Sequence, residues 1–402
     1  MWKASASFVD ITPDHPVPLA GYANRTEAVS PVSDPIEING VLLEGIDQRI
    51  LLLSVDTLYV GPAMRDILLD AFAGELTADE LFIAATHTHF APSLDATKPG
   101  LGPVDLAYVC FVVDRLIGLV RSLLDAPRVE IELRHHWTRA PFNINRRKLP
   151  RYTRPGADRC EAGPNPKGPC DDRLRSLWLV DGQGQPLATL WNYACHPVCF
   201  PDQASVSADF PGVGRASVRA KHGPIPTLFF QGFSGDVRPR VIDPTQDLVR
   251  KILKGLRFGR FTPSEWTTWS GGIAQALMDG GGGALVEQSG VLTHTRRSLE
   301  MAHVSKNPGT LPPISLHGIQ LGAIQLLGVS AEVMTAYGLA EDPTTWTISC
   351  IDHTFGYYPT DIMLAQGGYE VSGFQEGFSL AINFKPGLEA ALHTVLDALK
   401  TR

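Results

Sequence analysis

The 402-residue sequence has no uninterrupted apolar run of the ~18 residues that a membrane-spanning helix needs, so no integral membrane association is expected. It also lacks any dense block of Lys and Arg. With 35 basic against 42 acidic residues the net charge is a mild −7, and no nucleic-acid partner is expected. The six cysteines, at 110, 160, 170, 195, 199 and 350, never form a CxxC pair. Cys160 and Cys170 share the Pro/Gly-rich stretch DRCEAGPNPKGPC and would bridge only in an oxidising compartment; reduced thiols and a cytoplasmic location are the preferred reading. The N-terminus, MWKASASFVDITP, alternates like a strand, without the charged and apolar regions of a secretion signal. Repeats and low-complexity linkers are missing too, so one domain over residues 1–402 is expected, with homo-oligomerisation left open.

What is present is a mixture of hairpins and helices. IEINGVLLEG with DQRILLLSVD, and LRSLWLVD with PLATLWNYACH, read as hairpins around polar turns. ELFIAATH, PRVEIELRHHW and PTLFFQGFSGD read as further strands. PAMRDILLDAFA, AYVCFVVDRLIGLVRSLL, EWTTWSGGIAQALMDG and LEAALHTVLDALK have helical spacing. ISLHGIQLGAIQLLGVSAE reads as a hairpin running into a helix. The fold class expected is α/β, a single large domain of mixed β-sheets flanked by helices.

Two histidines in ATHTHFAPSLD, His87 and His89, follow a short apolar strand. If the strand continues, they share a face and suit a metal site or a ligand-plus-base pair; otherwise they are polar residues at a strand exit. His196, in WNYACHPVCF, ends another strand, and its neighbours Cys195 and Cys199 fit no common zinc spacing and suit the core. QGFSGDVRP resembles a nucleophile elbow, but Asp236 stands where G-x-S-x-G needs glycine, so a triad on Ser234 is set aside. MDGGGGAL lacks the Lys-Ser/Thr of a phosphate loop and reads as a flexible connection. His135 and His136 read as a solvated strand edge.

Taken in order along the chain, PLAGYANR, LLLSVDTL, AATHTHFAP, FNINRR, NYACHP, SADFPG and GFSGDVRP resemble the catalytic domain of the neutral (non-lysosomal) ceramidase family. The resemblance implies one Zn²⁺ per chain, held by His87, His196, Glu332 of GVSAEVMTAYG and Tyr357 of FGYYPT. It leaves His89 as general base, with Tyr369 and Arg146 stabilising the oxyanion and Arg146 also anchoring substrate. Asp56, Asp209 and Asp236 are the acids expected to orient the histidines. Buried caps, a helix-start glutamate and a core tyrosine would leave the same residues in the sequence.

Two departures stand out. The family carries serine where this chain has Arg238 and asparagine where it has Arg240, and a short form without the additional C-terminal β-domain of longer members is expected. A permanently charged fork in place of a hydroxyl suits an anion, so Arg238 and Arg240 are read as substrate-binding and the substrate as a small anionic N-acyl amide instead of ceramide. The structural alternative is an ion pair of Arg238 with Asp236. Rival functions are a zinc ester or lactone hydrolase, an amide-forming acyltransferase, and a non-catalytic zinc or ligand-binding module. An HxH amidohydrolase barrel would need repeated strand–helix units, whereas hairpins dominate here.

Overall fold

The computed structural model describes residues 1–22, 25, 27–149, 159–286, 291–309 and 311–400, without the side chains of 253 and 254. A nine-stranded sheet forms its centre. Eight of the strands lie in the order Thr227–Gln231, Pro186–Tyr193, Arg173–Asp181, Val129–Arg139, Trp2–Asp10, Glu37–Glu44, Arg49–Val55, Leu81–Ala85. The inner pairings are antiparallel, as the two hairpins dictate, and only the outermost pair at each end is parallel. A parallel pair needs a crossover, and helices Pro62–Ala71 and Asp209–His222 supply one at each end.

The two ends of the sheet meet. Ser54 Oγ donates to the Phe229 carbonyl at 2.7 Å, and the Phe82 and Phe230 rings pack edge to face at 5.6 Å. Segment 349–352 closes the remaining gap: Ser349 N donates to Gln231 O, while Asp352 N and Ala85 N bond to and from the facing chain. The carboxyl ends of three strands, at Ala85, Tyr193 and Gln231, therefore come to one place. Loops leaving strand carboxyl ends are where open α/β sheets build their sites.

One face of the large sheet packs on a four-stranded sheet, ordered Leu292–Leu299, Ile314–Leu321, Ile324–Val329, Thr345–Ile348. Phe82, Phe230, Ile319, Leu326 and Trp346 fill the space between them. The other face is covered by helices. Leu106–Asp125 starts at Asp105, whose side chain caps Tyr108 N, and buries Val112, Leu116, Leu119 and Leu123 at helical spacing. Each such side chain contributes roughly 1.5–3 kcal/mol of burial. Pro263–Asp279 opens with a Thr262/Glu265 capping box and seats Trp266, Trp269 and Ile273 beside Trp191 and Phe210.

The structure corrects three local expectations. Glu332 does not begin a helix: Glu332–Val333 is a short strand paired in parallel with Tyr357–Tyr358. His135 is not a solvated edge, because its strand lies inside the sheet and the ring is buried against Trp346 Nε1 at 3.3 Å. The glycine run is part of the sheet's border: Gly280–Gly282 forms a 3₁₀ turn and Ala284–Leu285 pairs with His135 and Arg134. Cys170 is a free thiol. No helix among the described residues is long and apolar enough to cross a membrane.

One buried ion cluster pins the two sheets and the first helix together. Asp352 accepts from Arg65 Nη1 at 3.1 Å and from His317 Nε2 at 2.9 Å. Burial opposes its charge, but His317 and Arg65 outweigh that and hold its pKa at about 2. The contribution is complete above the ordinary value of 3.8 and is lost as pH falls through about 2. Asp352→Ala, which strands the Arg65 charge, is expected to cost about 3 kcal/mol near neutral pH. In denaturant titrations the gap from the parent protein should narrow below pH 3.8; a gap independent of pH would show that the carboxylate charge is not what stabilises the cluster.

Candidate metal and catalytic site

The site gathers where the three strand ends meet. The strand Leu81–Ala85 stops before the histidines: His87 takes a left-handed backbone with φ of 66°, so the pair does not lie on an extended strand. That turn still brings the rings together, with centroids 5.0 Å apart for His87 and His89 and 4.9 Å for His87 and His196. A left-handed β-carbon costs energy, and such strain collects at functional sites. His196 arrives from the end of Pro186–Tyr193, while the neighbouring Cys195 turns into the aromatic core.

Ring nitrogens of His87, His89 and His196 lie within 4.8 Å of one another, close enough to hold a metal ion. Glu332 reaches the same point, with Oε2 3.0 Å from His196 Nε2 and 3.5 Å from His87 Nε2. Parallel pairing sets Glu332 directly beside Tyr357, so one short two-stranded sheet delivers the predicted carboxylate and phenol together.

The hydrogen-bond pattern tests whether a cation fits. His196 Nδ1 faces the Val237 carbonyl at 2.9 Å, and His87 Nδ1 faces the Leu58 carbonyl at 3.1 Å. A carbonyl only accepts, so each ring carries its proton on Nδ1 and turns Nε2 toward the Glu332 carboxylate. In neutral imidazoles those Nε2 atoms are lone pairs facing another acceptor, and only a proton or a cation between them resolves the contact. Burial, with Arg146 nearby, lowers the His196 pKa to about 4, so His196 is neutral. His87 is held charged despite burial, with Cys350 and Glu332 favouring its protonated form, and Glu332 is correspondingly held ionised. A divalent cation taking that proton's place would satisfy all three groups. The donor set fits the expected metal.

His89 is different. Neither of its ring nitrogens has a hydrogen-bond partner among the described residues, although the ring is enclosed. Burial and the neighbouring imidazoles keep it neutral, well below the usual histidine range. Its position is set by packing: Tyr22 lies edge-on at 5.2 Å, and a β-carbon on Gly21 would collide with His89 Nδ1. Gly21, with φ of 99°, is thus required twice over, for backbone and for space. Residues 23 and 24 of the PLAGYANR motif lie outside the described residues.

Across the cluster, Arg146 donates from Nη2 to Tyr357 Oη at 3.2 Å and from Nε to Glu370 at 2.9 Å. Its guanidinium lies 5.7 Å from the Tyr369 ring centre, and Tyr369 stays half-exposed at the start of a π-helical turn. The chain therefore brings together His87, His89, His196, Glu332, Tyr357, Tyr369 and Arg146 from six separate segments.

The three expected orienting acids sit elsewhere in the bonding scheme. Asp56 pairs with Arg215 at 2.7 Å; Asp236 accepts from Asn145 and Thr335 N; Asp209 caps the backbone of Cys199, Phe200 and Phe210. Backbone carbonyls orient the histidines instead, a role that no side-chain motif announces. Asp236 does not pair with Arg238. Arg240 is exposed and does not share the Arg238 pocket, so the two arginines part company. Tyr59 and Glu370 were not anticipated as site residues: Tyr59 Oη donates to Glu332, and Glu370 clamps both Arg146 and Arg147.

No family model and no curated relative matches the chain. Solved structures do. The neutral ceramidase of Pseudomonas aeruginosa superposes with a TM-score of 0.72 at 14% identity, covering 98% of this chain and 73% of that one. This chain has the neutral ceramidase fold. A ceramidase complexed with C2 aligns equally, with a TM-score of 0.73 at 14% identity over 98% and 74% of the two chains. The match spans nearly the whole chain, as the ordered motifs implied, and it carries the mixed α/β architecture with it.

Proposed function

We propose that this chain is a zinc-dependent hydrolase of linear N-acyl amides. The observation that carries the reading is the convergence of His87 and His196 Nε2 on the Glu332 carboxylate, acceptor facing acceptor at neutral His196, set in the neutral ceramidase fold. His87, His196, Glu332 and Tyr357 would hold the ion, a nitrogen and oxygen donor set suited to Zn²⁺. Bound there, zinc supplies a Lewis acid and lowers the pKa of a coordinated water toward ~7.

The chain's own residues divide the remaining work. His89, neutral and without a hydrogen-bond partner, accepts the proton of the attacking water and passes it to the nitrogen as the C–N bond breaks. Arg146 and the half-exposed Tyr369 face the reacting carbonyl from the other side and donate to its developing oxyanion. Glu370 keeps the Arg146 guanidinium aimed. A cavity of about 460 Å³ lies beyond Phe378, whose ring packs on both Tyr59 and Tyr357; its Leu311, Phe355 and Leu380 side chains suit an acyl chain, while Arg65, Lys98, Arg296 and Asp352 line other parts of it.

Purified protein should contain zinc and hydrolyse N-acyl amides. Chelation should remove at least ~99% of the activity, and added Zn²⁺ should restore it. Turnover that survives complete chelation, or none on any amide by the zinc-loaded protein, would end this reading. Gly21→Ala supplies a second check. Its methyl must displace the His89 ring, so kcat should fall about 10²-fold with the thermal midpoint shifted by only a few degrees. Full activity in this variant would show that the position of His89 does not matter.

A further inference from the structure

We propose that the pocket behind Tyr22 is a carboxylate-binding subsite for the leaving amine, with Arg238 as its anchor, so that the substrates are N-acyl amino acids. The inference rests on the hydrolase reading and names its substrate class.

Arg238 has the wrong surroundings for a structural arginine. Among the described residues no carboxylate lies within ion-pair distance of it. Its one hydrogen bond, from Nη2 at 3.0 Å, goes to Cys199 Sγ, a weak acceptor, and its Nε is buried with no partner. Phe258 packs under the guanidinium at 4.4 Å and fixes its plane. A partly buried cation with nearly all of its donors unused is costly unless something anionic arrives. Asp209, which accepts from the backbone N–H of Cys199, turns both oxygens to backbone N–H groups.

The fork faces a pocket of about 260 Å³ lined also by Tyr22, Cys199, Gln203, Arg260 and Phe261. Arg260 and the neighbouring Arg25 likewise have no described ion-pair partner. Arg25 stacks on Tyr22 at 4.5 Å and donates to the His89 carbonyl at 2.5 Å. Three guanidinium groups without a described ion-pair partner, two lining this small pocket and Arg25 beside it, favour a positive potential in a chain whose net charge is −7.

Position determines which half of the substrate this pocket receives. Tyr22 is its wall on one side and packs against His89 on the other. Arg238 follows Val237, whose carbonyl orients His196. The group that protonates the departing nitrogen must stand beside it, so the amine half lies on the His89 side. The cavity beyond Phe378, whose ring packs on Tyr59 and Tyr357, is assigned to the acyl half. A 260 Å³ space is small for an acyl chain and adequate for an amino-acid head group.

The zinc-loaded protein should be assayed with three substrates sharing one acyl chain: an N-acyl amino acid, its uncharged carboxamide, and an N-acyl phosphoethanolamine. The carboxylate substrate should be preferred over the carboxamide at least ~10-fold in kcat/KM, mainly through KM. Arg238→Met should collapse that preference to about onefold and Arg238→Lys should restore part of it, with folding checked by thermal midpoint. Equal turnover of acid and carboxamide by the parent protein would overturn the subsite while leaving the hydrolase reading intact. Preference for the phosphoethanolamine amide would overturn its assignment to carboxylate. Turnover of none of the three would mean that the hydrolase reading itself has failed.

Discussion

His89→Gln is expected to lower kcat on an amide by a factor of about 10²–10⁴ while the protein keeps its zinc. The argument is geometric. His87 and His196 each give Nδ1–H to a backbone carbonyl and present Nε2 to Glu332, the arrangement of an oriented ligand. His89 has no such anchor; it is steered by the Gly21 backbone and the Tyr22 ring, with both nitrogens unpaired. A group that must take up and release a proton in each turnover needs a free nitrogen. Glutamine fills the same space and cannot carry the proton. A drop in kcat with KM near the parent value, and unchanged zinc content, is the expected signature.

Glu332→Gln should have the opposite profile. It removes the one negative charge among the predicted ligands, to which His87, His196 and Tyr59 all converge. Zinc affinity should fall by about 10²-fold or more in competition with a chromophoric chelator, and activity should fall with it. Excess Zn²⁺ should recover part of the activity of Glu332→Gln and none of that lost in His89→Gln. If both variants respond alike to added metal, the division of labour between them is wrong.

How much of this was legible in the chain depends on how local each signal is. The hairpins were readable because strand alternation and polar turns are adjacent in sequence, and the long helix Leu106–Asp125 because its apolar spacing is sustained. GVSAEVMTAYG holds helix formers after a strand, so its local pattern points to a helix start at Glu332. Its actual partner strand, Tyr357–Tyr358, lies far downstream, and no local pattern shows that pairing. His135 looked like an edge for the same reason: the groups that bury it, Trp346 and the Ala284–Leu285 strand, come from distant segments.

The site shows the same division. Histidines at strand ends are visible chemistry, so His87, His89 and His196 were found from spacing and motif order. The groups that orient them are the carbonyls of Leu58 and Val237, which have no side-chain identity to read. The acids flagged in their place, Asp56, Asp209 and Asp236, serve arginine pairing and backbone capping, tasks that leave the same letter in the sequence. Arg238 was conspicuous only as a departure from the resemblance. Its lack of a carboxylate partner is a property of the folded molecule.

The most direct test is the zinc content of three purified proteins, measured by elemental analysis after identical dialysis: the parent, His89→Gln and His87→Ala. One ion per chain is expected in the parent and in His89→Gln, and well under half an ion in His87→Ala. Loss of zinc from His89→Gln as complete as that from His87→Ala would make the three histidines equivalent ligands and contradict the assignment of His89 to proton transfer.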